Sequence, residues 1–547
     1  MPADHLPGDP SAQSAGLYDP PPRPLVLRDL VQRSRRRLEA MPDDALAMLL
    51  EDALYQERKR LERSTPEEGE RERLDALTHA LVLGGRAQQI EAALALVGAW
   101  ADEIHGHFDS RVYQVATRLM PSALTGLLSE RSRPRLRDWL AGQRRDLDVE
   151  SRIAIRGDTA LLRELAREAT LVLCPTHVSN LDSPLIGLAL HLAGLPPFLY
   201  GAGLNLFSNP VMGWFLRRLG AYTVDRTKGA TLYKDVLKDY SIRAMVQHDH
   251  SLFFPGGTRS RSGRLESHLK KGLLGTCVTA WQERLQADPQ RSDVYVVPMT
   301  LTFQLCLEAN TLIGDYLERE GKQRYIITDD EFAEARTVAN FARRVLDLDN
   351  SIVLHFGAPL DCVGNPVSAD PTQRRVDSER RRRYVCDADG EVEADEQRDH
   401  AYTERLASAL VRAYPRGTVI LSTHLVAWVV WRLLEERIGS RDPFRLVRVP
   451  DLSRRFARRA VMERLEAALA VVARGAAEGR WGNGTSGGTE AVLAQALDRF
   501  DRYHRSHAVL ADGAELFVED PKLCLYYRNR LDSPALLAGA SELNGDT

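Results

Sequence analysis

Between residues 153 and 356, short apolar runs alternate with helical stretches, and this alternation limits the possible folds more than any other feature of the chain. The runs are Ile153-Ala154-Ile155, Leu171-Val172-Leu173-Cys174, Phe198-Leu199-Tyr200, Ala221-Tyr222-Thr223-Val224, Ser251-Leu252-Phe253-Phe254, Val294-Tyr295-Val296-Val297 and Ile352-Val353-Leu354-His355-Phe356. Most are apolar at consecutive positions rather than at every second one, as strands covered on both faces are. Strands separated by helices need crossover connections, so the predicted fold is α/β: a mostly parallel sheet core with helices on both faces. Residues 151–362 are assigned to that domain. Within it, Asp158 to Arg167 reads as a helix capped by Asp158.

The flanks have a different texture. Residues 1–25 are rich in Pro, Ser, Ala and Gly and are expected to be disordered. Residues 26–150 read as an N-terminal helical region and 401–547 as a C-terminal one, around a charge-segregated linker or surface insertion at 363–400. A chain of 547 residues can hold two or three domains. Its net charge of −3 gives no global field that would select nucleic acid. The six cysteines are scattered without paired spacing, which argues against a disulfide framework and against a zinc site and suits a reducing cytosol. The first residues carry Asp4, Asp9 and several prolines with no basic-then-apolar pattern, so no secretory signal is expected. No apolar run reaches the roughly 18 residues of a membrane span, so any membrane association is expected to be peripheral.

Chemistry concentrates at the strand ends. After Leu171–Cys174 comes Pro175-Thr176-His177-Val178-Ser179-Asn180-Leu181-Asp182, with Pro184 where a helix would begin. His177 therefore lies in a strand-to-helix loop and Asp182 at or near the helix start. There a carboxylate can accept backbone N–H bonds and fix the tautomer of the imidazole. Such a pair is half of an acyl-transfer apparatus, a base able to deprotonate a hydroxyl. After Ala221–Val224, Arg226 and Lys228 stand at a strand end, where open α/β sheets bind ligands. After Ser251–Phe254 comes Pro255-Gly256-Gly257-Thr258-Arg259-Ser260-Arg261-Ser262-Gly263-Arg264. Paired glycines let backbone N–H groups approach an anion, and Arg259 and Arg261 can add bidentate bonds to phosphate. A solvated basic loop is the competing reading. Val294–Val297, closed by Pro298, says only that a core strand ends there. Cys174 lies inside an apolar run and reads as core.

In this order, the His/Asp pair, the basic strand end, the Gly/Arg loop and the apolar strand resemble the glycerolipid acyltransferase superfamily. Leu232-Tyr233 with Val236 and Tyr240, the strand end Phe356-Gly357 with Pro359-Leu360, and the terminal Tyr526-Tyr527-Arg528-Asn529 narrow the resemblance to the glycerol-3-phosphate and dihydroxyacetone-phosphate O-acyltransferases. The resemblance implies His177 as general base, Asp182 as its orienting partner, and Gly257, Arg259 and Arg261 as a phosphate loop. It also makes Arg226 the basic residue closing the second motif and Val297-Pro298 part of the acyl site. The implied reaction is O-acyl transfer from acyl-CoA or acyl-carrier protein to glycerol 3-phosphate, in phospholipid biosynthesis, with no cofactor beyond the acyl co-substrate. Two alternatives stand beside it: a 1-acylglycerol-3-phosphate acyltransferase, and a non-catalytic member that binds lipid or acyl-carrier protein. One departure bears on them. Most of the superfamily has a glutamate where this chain has Gly256, although the soluble plastid enzymes also lack it, so acceptor identity is left open.

An apolar product implies a site facing a bilayer, with the protein on the inner face of the cell membrane. Trp428 and Trp431 lie three apart on one helix and suit a headgroup interface, or else pack inside the C-terminal helices. Arg33 and Arg35 to Arg37 either add attraction to anionic lipid or form a solvated helix face.

Overall fold

The computed structural model describes residues 21–63, 69–117, 153–207, 210–320, 352–502 and 504–532. Its centre is a sheet in the order β1-β7-β6-β2-β5-β3-β4, with β8 paired to β6. The strands are β1 Ile153–Arg156, β2 Thr170–Pro175, β3 Leu199–Gly203, β4 Ala221–Val224, β5 Ser251–Leu252, β6 Val294–Phe303, β7 Ile352–Phe356 and β8 Leu360–Asp361. β2 runs parallel to both β5 and β6, and β3 parallel to β4 and β5. β7 and β8 pair antiparallel with β6, so the sheet is mixed and mostly parallel.

The unbroken apolar runs have the expected cause. In β2, Leu171 and Leu173 point into a core shared with the helices Asp182–Leu192 and Ser422–Ile438. Val172 and Cys174 point the other way, against Lys271–Ala287 and Glu396–Gly417. Both faces are dry, and each fully buried Val or Leu contributes about 1.5–3 kcal/mol. The helix after β1 runs Thr159–Glu168, and Asp158 caps it through Leu161 N–H. β6 is longer than its apolar run suggested. It passes through Pro298 because that residue falls between the stretch pairing with β8 and the stretch pairing with β7.

The N-terminal helices Arg23–Ala40, Asp43–Leu61, Glu70–Leu83 and Arg86–Ile104 build a second core with Leu199, Tyr222 and the helix Thr231–Val246. The basic run is part of this packing. Arg33 is bidentate to Glu283 at 2.6 Å, Arg35 pairs with Glu91 at 2.6 Å, and Arg37 reaches the buried Asp239 at 2.8 Å. Arg33, Arg35 and Arg37 are therefore engaged in ion pairs, while Arg36 of the same run is exposed. Residues 118–150 of the predicted helical region, and the first 20 residues of the segment expected to be disordered, lie outside the described residues.

Residues 363–400 hold the helix Pro371–Arg382, whose Arg381 is buried and bridges Asp293 at 3.0 Å. Part of the charge run is thus tied to the sheet domain. Trp431 is fully buried and donates its indole N–H to Glu435 at 3.0 Å, and Trp428 is buried as well. Every residue from Ser422 to Trp431 of the helix Ser422–Ile438 is buried, so both indoles belong to the core and not to a headgroup interface. No described helix is long and apolar enough to cross a membrane.

Candidate active site

The loops after β2 and β5 leave the sheet at the C-terminal ends of parallel neighbours, so the topology brings them together. His177 and Asp182 meet as expected. Asp182 Oδ2 accepts His177 Nδ1–H at 2.8 Å, Val178 N–H at 2.6 Å and Ser179 N–H at 3.0 Å. Asp182 is the first residue of its helix, not its cap, and is completely buried. Two backbone donors and the ring thus meet on one carboxylate oxygen at the start of the helix. A carboxylate can only accept, so Nδ1 carries the proton and Nε2 is the basic nitrogen. Nε2 has no hydrogen bond among the described residues, and the imidazole side chain is 14% exposed. Phe254 stacks on the ring with centroids 4.1 Å apart.

The Gly/Arg loop is stitched to this pair. Ser260 N–H donates to His177 O at 2.7 Å. Glu308, almost fully buried, accepts Ser179 Oγ–H and Asn180 N–H at 2.9 Å each, and pairs with Arg259 Nη1 at 3.1 Å. One carboxylate thus ties the histidine loop to the arginine loop. Arg261 lies 3.6 Å from Asp315. Arg226 forms no ion pair among the described residues, though part of its surface is open to solvent. Burial, then the charge of Arg259, lowers its pKa, and burial followed by Arg319 does the same for Arg261, where Arg259 and Arg226 add to the effect. Arg226, Arg259 and Arg261 therefore share one electropositive region, as an anion site needs.

Two expected members take other roles. Lys228 is buried, pairs with Glu103 of the helix Arg86–Ile104 and lies 5.6 Å from the centre of the Tyr233 ring. The chain turns after Arg226, and Lys228 is buried against the N-terminal helices with its charge engaged by Glu103. Gly257 has a left-handed φ of +76°, and a Cβ there would fall 2.6 Å from Lys270 Cδ. Its N–H closes a turn onto Phe254 O at 2.9 Å. Gly257 shapes the loop, and its amide is already used.

The C-terminal segment closes over the loop. Asn529 Nδ2 donates to Ser262 O at 2.8 Å, and Arg264 pairs with Asp532 at 2.7 Å. Arg530, buried, donates to Leu301 O of β6. Glu308, Glu266 and Arg530 escaped the sequence reading. Glu308 follows β6 by only a few residues, but no periodicity distinguishes it from a surface carboxylate.

Residues 153–302 match the family model described as Acyltransferase. A glycerol-3-phosphate acyltransferase of Pseudomonas savastanoi pv. phaseolicola is 28% identical over 200 residues, which are 36% of this chain and 22% of that protein. One of Histophilus somni is 35% identical over 153 residues, 27% of this chain and 18% of that protein. The chain thus spans about a fifth of the length of the curated relatives it matches. A solved 1-acyl-sn-glycerophosphate acyltransferase, PlsC from Thermotoga maritima, is 14% identical, with 62% of this chain and 86% of that chain covered and a TM-score of 0.25, too low to bear on the argument.

Proposed function

We propose that this chain, whose α/β domain is an acyltransferase domain similar to those of the glycerolipid superfamily, moves a fatty acyl group from a thioester to glycerol 3-phosphate. The observation that carries the reading is the His177–Asp182 pair bonded directly to the arginine loop through Ser260 and Glu308. His177 Nε2 removes the proton of the acceptor hydroxyl as its oxygen attacks the thioester carbonyl. The C–S bond breaks, and the thiolate of coenzyme A or acyl-carrier protein leaves. A positioned base is worth about 10²–10⁴-fold. Arg226, Arg259 and Arg261 hold the phosphate, so the hydroxyl is presented to the base in one place. Asp182 keeps the proton on Nδ1 and steadies the imidazolium formed in the step.

The acyl product calls for access to a bilayer, and a surface on the same edge of the sheet supports peripheral binding at the inner face of the cell membrane. β3 is parallel to β5, so the turn Leu204–Phe207 leaves the sheet on the edge that carries the His177 and Arg259 loops. Leu204 is exposed there, with Trp214 and Phe215 on the helix Pro210–Arg218 that follows. Arg217 and Arg218 lie over Phe207 and Trp214 at 4.9 and 4.0 Å. Aromatic rings beside arginines fit an anionic lipid surface. Offering glycerol 3-phosphate, dihydroxyacetone phosphate and 1-acylglycerol 3-phosphate together, with acyl-CoA or acyl-carrier donors, and identifying the product by mass spectrometry tests the reading. With a donor chain different from that of the offered 1-acylglycerol 3-phosphate, a 1-acylglycerol 3-phosphate bearing the donor's chain supports it; acyl-dihydroxyacetone phosphate, a diacylated product or none opposes it.

A further inference from the structure

Gly256 has no backbone reason to be glycine, because it is absent from the glycines with positive φ. Its neighbourhood supplies another. A Cβ at position 256 would lie 3.0 Å from Glu266 Cγ and 3.5 Å from Glu266 Oε1. A side chain at 256 and the side chain of Glu266 therefore compete for one volume. Glu266 comes from farther along the same loop, and its Oε1 accepts the N–H of His177 at 2.7 Å. The other oxygen, Oε2, is buried and has no hydrogen-bond partner. A buried carboxylate oxygen without a donor is costly, and a loop held only for packing has no use for one. The buried Arg530 and His177 offset part of that cost, yet burial still raises the carboxyl's pKa.

We propose that Glu266 is a positioning residue that supplies, from a different point of the loop, the carboxylate absent at Gly256, and that it holds the His177 backbone at the height the reaction needs. The inference rests on the acyl-transfer reading for its kinetic consequence and on geometry alone for its structural one. His177 is fixed from three directions: its ring by Asp182, its carbonyl by Ser260 N–H, and its amide by Glu266. Removing the last lets the loop rise without touching the ring's partner.

The experiment compares Glu266→Ala, Glu266→Gln, Gly256→Glu and the double variant Gly256→Glu/Glu266→Ala in the full chain. Two readouts are taken: steady-state kinetics with glycerol 3-phosphate, and amide hydrogen exchange over residues 176–180. Glu266→Ala is expected to lower kcat by about 10²-fold, the size of an ångström-scale misplacement, with the acceptor KM little changed. Glu266→Gln keeps an oxygen for the His177 amide and retains most activity. Gly256→Glu alone forces two carboxylates into one volume and loses activity. The double variant puts one carboxylate back and recovers both kcat and exchange protection at His177. Normal kcat in a folded Glu266→Ala, or a folded double variant no better than it, overturns the proposal. If the unmodified protein shows no acyl transfer, the proposed function fails by itself, and exchange decides about Glu266: protection at His177 unchanged in Glu266→Ala overturns it. Where Glu266→Ala does not fold, the double variant answers alone, supporting the idea if its His177 amide is protected and refuting it if not.

Discussion

Arg259 Nη1 and the Glu308 carboxylate lie 3.1 Å apart, and the same carboxylate holds Ser179 and Asn180 of the histidine loop. The anion loop and the base are therefore one mechanical unit. An anion bound at Arg259 shares it with Glu308, so acceptor binding bears on the placement of His177.

Separate effects for the two arginines follow. Arg261→Ala should mainly raise the acceptor KM, by about 10- to 100-fold for a lost charged hydrogen bond of roughly 1.5–3 kcal/mol. Arg259→Ala should raise it similarly and also lower kcat, because Glu308 is left buried without its cation. Glu308→Gln should lower kcat more than it changes KM. Steady-state kinetics with the acceptor and the acyl donor varied in turn checks this, and equal effects on both substrates from both arginines would mean the loop is only structural.

Acid should destabilise the fold before its carboxylates titrate. Burial lowers the pKa of His250 and His504 to about 4 and that of His424 to about 3. In the unfolded chain these groups titrate near ~6.5, so below that pH the unfolded state binds more protons than the folded one. The stability they contribute is fully present above about pH 7 and is lost as pH falls through the window from about 6.5 to 4 for His250 and His504 and to about 3 for His424. Thermal melts at steps across that window should show Tm falling already between about pH 6.5 and 5, and a flat Tm there would contradict the assignment of neutral buried histidines.

The exposed aromatics and the buried ones should part company. Trp214→Ser with Phe215→Ser should reduce flotation with anionic vesicles and leave Tm nearly unchanged. Trp431→Ala should instead cost about 3–5 kcal/mol of stability, as large aromatic truncations in cores do. Vesicle binding indifferent to Trp214 and Phe215 across a salt series would remove this surface from the account and leave the chemistry of His177 untouched.

The sheet was legible because its strands are dry on both faces, so Leu171 to Cys174 and Ile352 to Phe356 stand out as unbroken apolar runs. His177 and Asp182 were legible because one short loop carries both. Glu308 was not, since its partners Ser179 and Asn180 are far away in sequence and only the neighbouring strands β2 and β6 bring them together. Lys228 was misplaced because a strand end does not reveal which way the following turn sends a side chain. Trp428 and Trp431 share a helix face, but so do core residues, and only the surrounding helices show that every position from Ser422 to Trp431 is buried.

The central claim is that His177 Nε2 is the base of an acyl transfer. The direct test is the rate of transfer from acyl-CoA or acyl-carrier protein to labelled glycerol 3-phosphate by the unmodified protein and by His177→Ala, with circular dichroism and thermal melts confirming that both are folded. The account predicts transfer by the former and a loss of about 10²–10⁴-fold in the latter, with substrate binding retained. A folded His177→Ala variant that turns over at a near-normal rate would contradict it.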